Sequence, residues 1–254
     1  MVLTLALHAC TTVPETGRSQ LLLVGSNDVL QLSLSEFDKI KQSTPLSRDA
    51  DQVALVKRVG QRVAAVAPLP NAQWEFVLFD KPDVANAFCL PGGKVGVYSG
   101  LLKITQNEGG LATVVAHEVA HAVARHGEER ISQGLLLQLG GVVLAEATKT
   151  KPDAARQLLQ AAYGVGGNVA IMLPHSREQE LEADHLGLLY MARAGYDPRE
   201  AVEFWKRFSA HSKDRGGKAI EFLSTHPLDE KRIAQLEELM PQAVAEYQKA
   251  RSAK

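Results

Sequence analysis

An α+β fold, mostly helical with one small sheet, is what this sequence predicts, and three features predict it. Apolar residues recur at helical spacing from Asp49 to Ala67. A β-rich run and a turn-linked pair of short runs follow between Trp74 and Tyr98. Beyond Gly100 the pattern is helical almost to the end.

The elements follow in order. Val53, Leu55, Val56, Val59, Val63 and Val66 line one helical face, and Pro68-Leu69-Pro70-Asn71 stops that helix. Trp74 to Phe79 reads as a strand. Ala87–Leu90 and Lys94–Tyr98 read as a hairpin, because Pro91-Gly92-Gly93 has the chemistry of a type II turn. Helices are expected at about 107–126, 128–147, 152–172, 177–194, 198–209 and 228–250. Ser212–Lys218 reads as a loop, and Ser224-Thr225-His226-Pro227 as a break before the last helix.

The 254 residues carry 45% hydrophobic and 22% charged side chains with a formal net charge of -1, so nothing in the balance points to nucleic acid or an anionic membrane surface. A chain this long buries a large core without disulfide staples, and its 2 cysteines are too few for a disulfide framework. Met1 to Ala9 is almost wholly apolar and ends in Leu7-His8-Ala9-Cys10, which resembles the end of a bacterial lipoprotein signal. Residues 1–20 are therefore expected to be a signal remnant and polar tether with Cys10 the lipidated residue, and 21–254 the functional domain. No run reaches the roughly 18 apolar residues that span a bilayer, so membrane contact is expected through the lipid alone.

The strongest chemical signal is His117-Glu118-Val119-Ala120-His121. On a helix, residues four apart share a face, so both imidazoles reach one metal ion. Glu118, one residue after the first histidine, sits where a general base belongs. Three candidates exist for a third ligand. His126 lies nine residues after His117, whereas a long-motif histidine falls at the tenth; capping the helix or touching a ligand suits it better. Glu180 and Asp184 share a face in Glu178-Gln179-Glu180-Leu181-Glu182-Ala183-Asp184, where one carboxylate can bind metal while the other orients a ligand histidine. The same run also reads as a solvated acidic surface. His226 is the third.

Four stretches in this order resemble the zinc metalloendopeptidase family that includes the CAAX prenyl protease, in particular its periplasmic bacterial branch. They are Asn86-Ala87-Phe88-Cys89-Leu90-Pro91-Gly92-Gly93; His117 to His121 with Arg125-His126; Ser176 to Asp184; and Thr225-His226-Pro227 with Arg232. Thr16-Gly17-Arg18 precedes them. The resemblance implies one zinc ion per chain, held by His117, His121 and Glu180, with Glu118 as catalytic base. It implies that Asp184 orients His117 and that Asn86, Ala87, Phe88, Cys89 and Leu90 form the strand on which an extended peptide lies. It places His226 near the metal, as an oxyanion partner or as a residue filling the open coordination position; Arg232 would pair with Asp184 or the oxyanion. Cys89 stands where the family has a small apolar residue and reads as a packed thiol.

The expected function is hydrolysis of unfolded or misassembled cell-envelope proteins, self-inhibited by a histidine latch, in the periplasm or at the outer membrane and in reach of the outer-membrane assembly machinery. A chaperone-like quality-control protein with a structural zinc, its cleft plugged by Ala161–Leu173, is the alternative. A metal-free helical binding protein is a third reading.

Overall fold

The computed structural model describes residues 10–147, 176–214, 221–226 and 230–252. Their order is β1 (Cys10–Thr12), β2 (Ser19–Leu21), α1 (Ser26–Ser43), α2 (Ala50–Ala64), β3 (Glu75–Phe79), β4 (Ala87–Leu90), β5 (Lys94–Tyr98), α3 (Ser99–Thr105), α4 (Glu108–Val123), α5 (His126–Ala147), α6 (Arg177–Arg193), α7 (Arg199–Asp214), α8 (Glu221–Thr225) and α9 (Glu230–Ser252). The fold is mostly helical α+β. The helix expected at 152–172, and with it the Ala161–Leu173 plug, lies outside the described residues.

Helix α4 is the axis of the molecule. It is buried on every side from Gly110 to Val123, so its apolar residues form no single stripe. Asn107 caps it by accepting from the Gly110 N–H at 2.8 Å. Against it pack α2, capped by Asp49 through the N–H groups of Asp51 and Gln52, and α6, opened by a capping box between Ser176 and Gln179. At the α4–α6 crossing a Cβ on Gly187 would lie 2.9 Å from the His117 amide nitrogen and 3.0 Å from its Cα. Only a glycine lets the backbones come this close.

The central sheet has the order β3-β5-β4, with β3 parallel and β4 antiparallel to β5. The Pro91-Gly92-Gly93 turn is as expected: Gly92 has φ +87°, and the Gly93 N–H donates to the Leu90 carbonyl at 3.2 Å. Strand β4 ends the sheet, so its outer edge pairs with no strand among the described residues.

Three features differ from the sequence expectations. Residues 11–20, expected as a polar tether, are folded: Cys10–Thr12 pairs antiparallel with Ser19–Leu21, and Val13 is buried in the core. The short hairpin is held down by the ion pairs of Arg18 with Glu129 and Glu182 as well as by the buried Val13. The expected helix 107–126 ends at Val123, because Arg125 adopts a left-handed φ of +58° and a new helix begins at His126. Helix α7 continues to Asp214, into the stretch read as a loop. No described helix is long and apolar enough to cross a membrane.

Candidate metal centre

His117 and His121 stand one turn apart on α4, and Glu180 reaches them from the first turn of α6. His226 follows α8, where its N–H donates to the Phe222 carbonyl at 2.8 Å and the Phe222 ring stacks on its imidazole at 4.4 Å. Four ring and carboxylate atoms converge. His117 Nε2 lies 3.0 Å from His121 Nε2 and 3.4 Å from Glu180 Oε2. His121 Nε2 lies 3.3 Å from Glu180 Oε1. His226 Nδ1 lies 3.3 Å from His117 Nε2 and 2.9 Å from Glu180 Oε1. One donor atom from each of the four residues falls within 4.8 Å of the others.

These spacings fit a metal. Nitrogen and oxygen ligands about 2.0–2.1 Å from a tetrahedral zinc stand roughly 3.3 Å from one another, and imidazole with carboxylate is a zinc donor set. All four residues are buried. Burial opposes charge on His117, yet Glu180 and Asp184 outweigh it and raise its pKa to about 9 without metal. Burial likewise opposes charge on Glu180, and His226 and His117 hold it well below the usual carboxylate range. The ring must give up its proton to bind metal, so metal and proton compete here.

Behind the donors lie their supports. His117 Nδ1 is 2.9 Å from Asp184 Oδ1. Arg232, only 1% exposed, donates to both Asp184 oxygens at 2.6 and 2.8 Å and reaches Glu180 Oε2 at 2.7 Å. Its guanidinium stacks 4.0 Å above the Trp205 ring. Three of the four acidic residues on α6 are thus interior: Glu180, Glu182 and Asp184 are buried, whereas Glu178 is exposed.

In front of the donors a cleft of about 300 Å³ opens between β4 and α1, lined by Asn86, Phe88, Glu118, His121, Arg130 and His226 among others. Helix α1, whose Val29 and Leu32 form the far wall, had no counterpart in the sequence reading. Its buried positions, Val29, Ser33 and Phe37, make a line one residue wide with a serine in it. Glu118 Oε1 is 3.3 Å from His226 Nε2, and burial pushes the Glu118 carboxyl above its ordinary value. The Cys89 thiol is half-buried, and burial together with Glu118 pushes it well above its usual range, which disfavours the reactive thiolate. Cys10 is exposed at the start of β1. Pro227, the last residue of the break expected before the final helix, lies outside the described residues.

With this geometry in hand, comparison with known proteins decides the family. The model of peptidase family M48 matches residues 50–240. The chain belongs to peptidase family M48. Members of this family use zinc, and zinc is the metal of this centre. The mitochondrial metalloendopeptidase OMA1 of Schizosaccharomyces pombe is 40% identical over 74% of this chain and 53% of its own length. Human OMA1 is 32% identical over 91% of this chain and 46% of its own. The β-barrel assembly-enhancing protease of Escherichia coli is 28% identical over 88% and 46%. The chain spans about half the length of these curated relatives.

Proposed function

We propose that this M48 chain is a zinc-dependent endopeptidase acting on unfolded or misassembled proteins, with His226 as a latch on the resting site. One observation carries the reading: His117, His121 and Glu180 converge at the inner end of a cleft whose side wall is the outermost strand of a sheet, with the Glu118 carboxyl facing the same space.

Bound zinc supplies Lewis-acid chemistry, polarising a carbonyl and acidifying water. The chain's residues do the rest. Glu118, kept basic by burial, accepts the proton of the attacking water and hands it to the departing amine. Asp184 and Arg232 hold His117 and Glu180 in place. The outer edge of β4, from Asn86 to Leu90, receives an extended peptide by strand addition, in which backbone hydrogen bonds give affinity with little side-chain selection. A folded domain presents few extended segments, which directs the site to unfolded substrates.

His226 closes the site by bridging Glu180 and Glu118 with its two nitrogens, so the base and the fourth donor position are both engaged. Opening requires the ring to leave Phe222 and swing away from both carboxylates. We place the protein in the bacterial cell envelope, lipid-anchored through the exposed Cys10 and near the outer-membrane assembly machinery. The similarity to a β-barrel assembly-enhancing protease supports this, whereas the OMA1 relatives are mitochondrial.

The test is cleavage of unfolded casein by the wild type, Glu118→Gln and His226→Ala, with bound zinc quantified in each. Cleavage should vanish in Glu118→Gln with zinc retained, and rise in His226→Ala. Full activity in Glu118→Gln would end the peptidase reading. Zinc-replete protein that cleaves nothing in any form would favour the structural-zinc chaperone.

A further inference from the structure

The mechanism above leaves a buried polar chain behind the second ligand histidine unused. His121 Nδ1 lies 2.7 Å from His126 Nδ1, and His126 Nε2 lies 2.9 Å from Glu182 Oε2. Glu182 accepts from Arg18 Nε at 2.7 Å and from the Thr16 hydroxyl. The rest of the Arg18 guanidinium forks onto both oxygens of Glu129, at 3.0 and 2.9 Å, and Gln179 Nε2 donates to the same carboxylate at 2.8 Å. His126 is 0% exposed.

The donor and acceptor roles along this chain are forced from its far end. A carboxylate can only accept, so His126 Nε2 carries a proton toward Glu182. In a neutral imidazole the other nitrogen then has a lone pair, so His126 Nδ1 accepts. His121 must therefore place its proton on Nδ1, which leaves the Nε2 lone pair facing the centre. His117 reaches the same state with one link fewer, through Asp184 held by Arg232.

We propose that Thr16 and Arg18 of the N-terminal hairpin are positioning residues for zinc, acting through Glu182 and His126 to fix the tautomer and tilt of His121. The proposal rests on His121 being a zinc ligand. It assigns a role to residues that lie before the 50–240 region matched by the family model. The left-handed turn at Arg125 is part of the device: on an unbroken helix, residues five apart are turned by about 140°, and the rings of His121 and His126 could not meet.

The experiment measures the zinc dissociation constant of the full chain by competition with a chromophoric chelator, for the wild type, His126→Phe, Glu182→Met, Arg18→Met, Arg18→Lys and Glu118→Gln. Removing such a support weakens metal binding about 10–100-fold. His126→Phe and Glu182→Met should fall in that range, Arg18→Met should lose less, and Arg18→Lys should recover part of that loss. Glu118→Gln should bind zinc as the wild type does. Wild-type zinc affinity in a folded His126→Phe protein would overturn the proposal. Should that variant not fold, histidine ¹⁵N chemical shifts of the wild type decide the matter: a His126 ring protonated on Nδ1 contradicts it, and one protonated on Nε2 supports it. Casein cleavage by Glu118→Gln would sink the peptidase reading without touching these zinc constants, so the two ideas fail separately.

Discussion

Arg232 shows how much one residue can hold. Buried against Trp205, it pairs with Asp184 and Glu180 together. Arg232→Met would keep much of the packing volume and leave two carboxylates buried without their cation, a loss of about 3–5 kcal/mol. Urea unfolding of the zinc-free protein should show a fall of that size, smaller in the zinc-loaded protein because the ion compensates part of the charge. Equal stability of wild type and variant would mean that the carboxylates are protonated or find other partners. His117, Glu118 and His121 were legible at this scale because their spacing on one helix is itself the signal. Glu182 was not: among four acidic residues in seven, nothing local distinguishes the one that faces a histidine.

Among the elements, the crossing of α4 and α6 sets the centre, since it brings His117 and His121 to Glu180. Gly187→Ala would press a methyl group against the His117 backbone. The helices would have to part by a few tenths of an ångström, at a cost of about 1–3 kcal/mol. Zinc affinity should drop along with stability, whereas a surface substitution of like cost would leave it alone; unchanged affinity would show that the crossing is not what spaces the ligands. Helix existence was readable from the sequence wherever apolar residues were periodic or a cap was present, as in α2, α4 and α6. Helix α1 and the break at Arg125 were not, because one has a narrow apolar line and the other is an arginine where glycine is usual.

For the molecule as a whole, the N-terminal hairpin is docked by charge. Burial raises the pKa of Glu182, but His126, Thr16 and Arg18 outweigh it and hold the group at about 2. Glu129 is likewise lowered, Arg18 and Gln179 overcoming its burial. Both folded pKa values lie below the ordinary value of 4.5, so the stability they contribute is complete above that pH and drains away as pH falls toward about 2. Amide hydrogen exchange should therefore show residues 13–21 losing protection across this window before α4 does. Arg18→Met should expose them already at neutral pH. Uniform loss of protection over both regions would mean that the hairpin and the helical body unfold as one.

A mostly helical chain with a small sheet, His117, Glu118 and His121 together on one helix, and the order of the motifs were all legible in the sequence alone. These are local properties, written in spacing and turn chemistry. Only the folded chain shows that Glu180, Glu182 and Asp184 on α6 are interior, that α1 walls the cleft, that both nitrogens of His226 engage carboxylates, and that a hairpin more than a hundred residues away reaches Glu182, which contacts His126 behind His121. Each of these depends on which polar groups lose their water together. Only the packed chain settles that, because a buried charge and a solvated one look alike in sequence.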